Sequence, residues 1–164
     1  MDRARRQALA AVLGTALLLG GCGFHLEGRV ALSPLMRHPY IETSDQQSDF
    51  AQSLRRELLI SGARPARERA HASAVIDILE DSVADRVLSV SAQNRPTEYE
   101  VTYTVRFAVS AGGRQVLPPQ QVASTRSYSF DESLLLAKEH ERAILQQSMG
   151  GDLADIVMRR LASL

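Results

Sequence analysis

Residues 99–109 alternate between large apolar side chains and mostly polar ones, and this alternation limits the possible folds more than any other feature. The odd positions hold Tyr, Val, Tyr, Val, Phe and Val, and the even positions hold Glu, Thr, Thr, Arg and Ala. Successive side chains of a strand point to opposite faces of the sheet, so one face is predicted to be buried and the other hydrated. The segment therefore predicts a sheet that is covered on one side.

Strand patterns flank this segment on both sides. Residues 74–90 predict a long strand that bends or runs into solvent, because polar residues occupy its middle. Its apolar residues of one parity are Ile76, Ile78, Leu88 and Val90. We expect a turn at residues 94–96 and a hairpin at Gly112-Gly113. Pro118-Pro119 predicts a break before a last strand. The residues of that strand that share one parity are Val122, Arg126, Tyr128 and Phe130.

Two segments have helical periodicity. In the first, Phe50, Leu54 and Leu58 recur every four residues, which predicts a helix with one apolar face that ends at Gly62. The second follows a predicted cap at Asp131 or Ser133 and continues towards the C-terminus. Its apolar stripe consists of Met149, Leu153, Ile156, Val157 and Leu161.

The two glycines within the second helix, Gly150 and Gly151, are expected to weaken its middle and either to bend it or to shift the phase of the apolar stripe. With a short strand expected at residues 38–43, the element order becomes β-α-β-β-β-α. The sequence thus predicts an α+β domain. Its core would be a mostly antiparallel four-stranded sheet with both helices packed on one face.

The N-terminus has the pattern of a secretory signal. Basic residues at positions 3, 5 and 6 precede a mostly apolar run at residues 8–19, which is shorter than the roughly 20 residues that a membrane-spanning helix needs. The run ends in Leu-Gly-Gly followed by Cys22, a sequence that resembles a bacterial lipobox. We therefore expect cleavage of residues 1–21 and lipidation of Cys22, whose alternative reading is a plain thiol.

This interpretation divides the chain into three parts. Residues 1–21 are the predicted signal peptide, residues 22–37 an acylated N-terminus and tether, and residues 38–164 a single α+β domain. Gly23 replaces the Asp that resembles an inner-membrane retention signal, so the expected location is the outer membrane, with the domain on its periplasmic side. Several acyl chains would anchor such a protein stably.

Charge and motifs argue against several classes of function. Removing residues 1–21 takes three arginines and one aspartate from 19 basic and 19 acidic residues, which leaves 16 and 18, a net charge of −2. A nucleic-acid partner is therefore not expected. The four histidines lack metal-ligand spacing, and no serine lies in a Gly-x-Ser-x-Gly turn. We predict no catalytic, cofactor-binding or metal-binding residues.

Three segments resemble the LptE family of lipopolysaccharide-assembly lipoproteins, and the likeness extends from Cys22 to the C-terminus. They are CGFHLEG at 22–28, PTEYEVTYTV at 96–105 and STRSYSFDESLLLAKEHE at 124–141. The resemblance implies a domain that plugs the lumen of the outer-membrane barrel LptD in a 1:1 complex. It further implies help in assembling the barrel and in delivering lipopolysaccharide to the outer leaflet, without catalysis or cofactor.

The resemblance also implies two lipopolysaccharide-binding residues. Basic residues near the start of the final helix and at the turn between two central strands are implicated in the family. Lys138 matches the helix position, and its alternative is an ordinary exposed lysine. At the turn the family's arginine falls near Ala92, and Arg95 is the nearest basic residue, so Arg95 is expected to replace it.

Two other functions are compatible with the residues themselves. One is a different outer-membrane lipoprotein whose small α+β domain binds a periplasmic ligand or inhibits a cell-wall hydrolase. The other is a periplasmic hydrolase whose site has no recognisable motif. Co-purification with a large β-barrel would favour the LptE-like function over both.

Overall fold

The computed structural model describes residues 31–164, so the predicted signal peptide and the predicted lipidation site Cys22 lie outside the described residues. The regular elements of this part are β1 Pro39–Glu42, α1 Asp49–Ile60, β2 Ala74–Val90, β3 Pro96–Ala111, β4 Arg114–Ser129 and α2 Leu135–Ala162. There are also three short 3₁₀ helices, Pro34–Met36 before β1, Arg69–His71 before β2 and Glu132–Leu134 before α2.

The four strands form one sheet in the order β1-β2-β3-β4. β2, β3 and β4 are antiparallel neighbours, whereas β1 pairs with β2 in parallel. The parallel pair follows from the connection through α1, since parallel neighbours need a crossover. The predicted fold, a mostly antiparallel four-stranded sheet with two helices, is therefore confirmed.

The predicted alternation of β3 matches its burial. The odd residues from Val101 to Val109 are at most 1% exposed, while Thr102 and Thr104 on the other face are partly accessible. The buried residues form one core with the apolar faces of α1 and α2, so both helices cover the same side of the sheet. The helix residues at the centre of this core are Phe50, Leu54, Leu58, Met149, Leu153, Val157 and Leu161.

The start of α1 is fixed by side chains from two strands. Ser48 caps the helix by accepting a hydrogen bond from the Ala51 N–H (3.1 Å), and its hydroxyl donates to Asp81 of β2 (2.5 Å). The buried Tyr103 hydroxyl of β3 accepts from the Phe50 N–H (3.2 Å). These bonds satisfy two of the N–H groups that the first turn of a helix leaves without partners.

Gly150 is the point of close approach between the helices. A Cβ added there would lie 2.9 Å from the Asp49 Cβ and 3.0 Å from the Phe50 N, whereas one added at Gly151 would meet nothing within 4 Å. α2 runs through both glycines as one continuous helix. Gly150, which was expected to weaken α2, therefore also allows α1 to pack closely against that helix.

The shared parity predicted for β2 does not correspond to a shared face. The register shifts between Ile78 and Glu80, so Ile78 pairs with Phe107 whereas Asp81 pairs with Val105. An extra residue in one strand moves every later side chain to the opposite face. After this shift Val83 pairs with the core-facing Tyr103, and Leu88 falls at a second register shift between Val87 and Ser89. The predicted extension into solvent is observed, since most residues beyond Ile78 are accessible.

The predicted break at Pro118-Pro119 is wrong, because β4 continues through both prolines. Phe107 pairs with Gln120 and Val109 with Leu117, so the two prolines lie opposite the single residue Ala108. This is a β-bulge on an edge strand, where a missing N–H donor is tolerated.

The chain enters the core before the first strand. Met36, which lies within the predicted tether 22–37, is fully buried, and Leu32 packs against the same core. Ser73 holds this segment in place, because its hydroxyl donates to the Leu35 carbonyl (2.6 Å) and accepts from the His38 N–H (2.9 Å).

Candidate functional site

We use the name distal tip for the β2–β3 turn, the end of β4 and the start of α2, that is, residues 91–97 and 129–138. Within it the turn is closed by backbone hydrogen bonds, with the Ser91 N donating to the Arg95 O (2.8 Å). Asn94 adopts a positive φ of 59°, a conformation that Asn tolerates better than most residues. The Phe130 N donates to the Thr97 O (2.8 Å) and thereby joins the end of β4 to the turn.

Arg95 is exposed on this tip and borders a shallow depression of about 660 Å³. The residues lining the depression are Ser91, Arg95, Pro96, Thr97, Phe130, Asp131 and Ser133. Asp131 accepts hydrogen bonds from the N–H and the hydroxyl of Ser133 (2.9 and 2.7 Å) and so caps the 3₁₀ helix Glu132–Leu134. These bonds, and to a smaller extent the charge of Lys138, hold the pKa of Asp131 below its usual value. The predicted cap of the final helix is wrong, because α2 starts after Leu134 with no side-chain cap.

Lys138 is held against the end of the sheet. Its Nζ donates to the Ser129 Oγ (3.1 Å) and to the Glu141 Oε2 (2.8 Å), and its side chain is only 15% exposed. Its position thus differs from that of an ordinary exposed lysine. Arg95 and Lys138 lie on the same tip, and Asp131 is close to both.

An aromatic cluster supports the tip from beneath α2. Tyr99 stacks on Tyr128 with ring centroids 5.8 Å apart, and it meets Phe130 edge to face at 5.2 Å. Burial, and next the charge of Asp85, raise the pKa of Tyr128, while the nearby Arg142 lowers it. Tyr128 is partly buried and packs against the core next to the tip.

Ion pairs attach α2 to the distal half of the sheet. Arg142 donates through its Nε to the Asp85 Oδ2 (3.0 Å), and Arg126 of β4 pairs with Asp152 (2.5 Å). Sequence patterns gave no sign of these pairs, because both link residues that are at least 26 positions apart.

The sequence interpretation missed an apolar surface on the tip. Leu134 and Leu135 are about half exposed, and Leu136 is 81% exposed. At the end of β2, Val87 and Val90 are also about half exposed. The three consecutive leucines at residues 134–136 could have indicated this surface. Successive residues of a helix point about 100° apart, so the three side chains cannot all face the core. Apolar side chains thus adjoin the two cations.

This arrangement can bind an amphiphile through surface contacts. Within residues 31–164, no cluster of three or more His, Cys, Asp or Glu side chains is arranged to hold a metal ion. No helix in the same range combines the length and the apolar character needed to cross a membrane.

Fold and site together define the chain as a small α+β domain with a basic and apolar tip. The chain is similar to curated proteins that carry the name LPS-assembly lipoprotein LptE. The protein of Pectobacterium atrosepticum is 24% identical over 98% of this chain and 88% of its own length. The protein of Photorhabdus laumondii is 28% identical over 96% of this chain and 86% of its own length.

Solved structures show the same fold. Rare lipoprotein B from Shewanella oneidensis superposes with a TM-score of 0.66 at 25% identity, covering 77% of this chain and 94% of its own. A lipoprotein B from Nitrosomonas europaea superposes with a TM-score of 0.68 at 24% identity, covering 86% and 91%. The family model of LptE, described as lipopolysaccharide-assembly, matches residues 36–161. The chain belongs to the LptE family, which confirms the resemblance found in its sequence.

Proposed function

We propose that the protein is a non-catalytic outer-membrane lipoprotein that plugs the LptD barrel in a 1:1 complex and assists delivery of lipopolysaccharide to the outer leaflet. The observation that carries the proposal is the family match over residues 36–161, which spans nearly the whole described domain. Relatives that carry the name LPS-assembly lipoprotein support the same role. Lipidation at Cys22 would hold the domain at the membrane.

The chemistry of the distal tip supports contact with lipopolysaccharide. Its phosphates call for cationic hydrogen-bond donors, which Arg95 and Lys138 supply at one end of the domain. Its acyl chains call for apolar surface, which Leu135 and Leu136 supply beside them. Glu141 shares the Lys138 ammonium, so a phosphate at this position would compete with a carboxylate that is already in place.

Co-purification tests the barrel complex. A tagged, acylated full-length chain extracted from outer membranes in detergent should recover a large β-barrel protein in a 1:1 ratio. A Cys22→Ala chain should fold but lose its own anchor, so its retention in membranes should depend on the barrel. Recovery of the acylated chain without any barrel would contradict the proposed complex, and retention of Cys22→Ala without a barrel would contradict lipidation at this residue.

Charge reversal tests the lipid contact separately. Lys138→Asp should weaken binding of purified lipopolysaccharide about tenfold, because a charge-assisted hydrogen bond is replaced by repulsion. Arg114→Asp, at the opposite end of β3 and β4, is the matched control and should bind like the wild type. Equal binding by both variants, with unchanged circular dichroism, would assign Lys138 a purely structural role.

A further inference from the structure

Positive charge is in excess at the end of the domain opposite the distal tip. Residues 55–69 contain five arginines and only two glutamates, in a chain whose formal net charge is zero. We use the name proximal basic face for Arg37, Arg55, Arg64 and Arg67. The Arg64 N donates to the Arg37 O (2.9 Å), the Ala66 N donates to the Pro39 O (2.8 Å), and Arg55 and Arg67 line one groove, so the four lie along β1 and the segment beside it.

The charge of this face is not neutralised within the domain. None of the four arginines forms an ion pair with another residue of the described chain, and the only side-chain bond among them joins Arg55 to the amide of Gln46. Of the nearby carboxylates, Glu42 pairs with Arg69, and Glu68 lies 3.5 Å from the His71 ring. The proximal basic face is therefore available to an external anion.

Apolar side chains lie among these cations. The groove between Arg55 and Arg67 has a volume of about 570 Å³, and Tyr40 and Leu59 contribute to its walls. Leu59 is 56% exposed and its neighbour Ile60 is 50% exposed, at the last turn of α1. Exposed apolar side chains surrounded by arginines are typical of surfaces that rest at the headgroup level of a membrane.

The polypeptide joins the domain at this same end. Leu32 and Arg37 border a small depression together with Gly62, directly after α1. Ten residues separate Cys22 from Leu32, and such a length of chain spans at most about 36 Å when fully extended. Acyl chains on Cys22 would therefore keep the proximal basic face within reach of the membrane surface, while the distal tip lies at the far end of the sheet.

We propose that the proximal basic face docks onto anionic phospholipid headgroups of the leaflet that holds the acyl chains. The inference rests on the proposed lipidation of Cys22, which brings the face to the membrane. In the acylated chain without its barrel partner, the arginines supply the attraction, Leu59 and Ile60 reach into the headgroup layer, and docking orients the domain with its distal tip away from the bilayer. Each arginine near an anionic surface contributes a factor of about five to the docked population.

A single tryptophan can report this docking, because the natural chain contains none. The acylated full-length Leu59→Trp chain is reconstituted into vesicles that contain phospholipids brominated on their acyl chains. In vesicles of phosphatidylglycerol and phosphatidylcholine the fluorescence should be strongly quenched, and in phosphatidylcholine alone only weakly. At about 1 M NaCl, where the Debye length is only about 3 Å, quenching should fall to the weak level.

Charge variants and a second reporter make the result specific. Combining Arg55→Glu, Arg64→Glu and Arg67→Glu with Leu59→Trp should lower the docked-to-undocked ratio by at least about a hundredfold. The distal reporter Leu136→Trp should stay unquenched in the same anionic vesicles. Ile60→Trp repeats the measurement in case Leu59→Trp perturbs the fold.

The outcomes separate the docking from the proposed function. Equal quenching in neutral and anionic vesicles, quenching that survives the triple charge reversal, or no quenching in anionic vesicles would each overturn the docking. None of these results affects co-purification with the barrel, which is measured independently. If the acylated chain fails to associate with any vesicle, the lipid anchor itself is contradicted, and with it the basis for docking.

Discussion

At the level of single residues, Gly150 determines how closely α1 and α2 can approach. We expect Gly150→Ala to lower the free energy of unfolding by about 1–3 kcal/mol, because its Cβ would overlap Asp49 and the backbone of Phe50. Gly151→Ala is the matched control, and it should raise the stability by up to about 1 kcal/mol through helix propensity. Urea titration of both variants measures the difference. Equal stability of the two would contradict the close contact.

Because of Tyr103, the stability of the domain should decrease at alkaline pH. Burial, and next a hydrogen bond with Asp81, raise the pKa of this tyrosine above its ordinary value. A raised folded-state pKa gives stability that is complete below the unfolded-state value of about 10 and is lost as the pH rises beyond it.

Tyr103→Phe should therefore be less stable than the wild type by about 1 kcal/mol near neutral pH, since the Phe50 N–H loses its acceptor. The difference should shrink above about pH 10, where the unfolded wild-type chain ionises Tyr103 and the variant has no corresponding group. Urea unfolding at a series of pH values measures it. A difference that stays constant through this range would contradict the raised pKa.

At the level of elements, the two halves of α2 are held by different forces. The second half contributes Met149, Leu153 and Val157 to the core, whereas the residues before Met149 are partly or fully accessible. The first half is attached to β2 chiefly through the Arg142–Asp85 pair. Local opening is easiest where buried apolar contacts are few.

Arg142→Ala should accordingly loosen the first half alone. We expect amide hydrogen exchange of residues 135–147 to accelerate up to about fivefold, the effect of losing a partly exposed ion pair worth at most about 1 kcal/mol. Exchange in the second half and the midpoint of urea unfolding should barely change. Arg159→Ala, near the other end of α2, should leave both halves unaffected. Faster exchange throughout α2 would indicate that the pair supports the whole helix.

The elements that were predicted correctly share a local cause. The alternation of β3 and the four-residue spacing of Phe50, Leu54 and Leu58 each depend on one face meeting one core, so periodicity alone reveals them. The bulge after Ile78 and the passage of β4 through Pro118-Pro119 depend on which residue stands opposite in the neighbouring strand. A single chain does not display that pairing, so both details were missed.

For the site, too, local sequence features could be predicted, whereas contacts between elements could not. Lys138 could be singled out because its neighbours match a family motif, but its bond to Ser129 joins two elements and becomes visible only in the fold. The exposure of Leu136 and the clustering of the proximal arginines likewise become visible only in the fold. Their meaning depends on which residues the topology brings to each end.

At the level of the whole molecule, the sheet separates two surfaces. β3 runs from the distal tip to the proximal end, and α2 runs alongside it in the same direction over 28 residues. Lys138 and the tip leucines lie at the start of α2, whereas Arg55 and Arg67 line a groove with β1 at the other end of the sheet. Surfaces so far apart with no shared partners should respond to mutation independently.

Because the two surfaces are separate, a variant of one should lose only the binding activity of that surface. The triple charge reversal Arg55→Glu, Arg64→Glu and Arg67→Glu should abolish docking on anionic vesicles and leave lipopolysaccharide affinity unchanged. Lys138→Asp should do the opposite. A chain with all four changes should show the two losses with no additional effect on either measurement. If charge reversal at the proximal end also weakened lipopolysaccharide binding tenfold, phosphates would be bound at both ends, and the division into a lipopolysaccharide tip and a phospholipid face would be wrong.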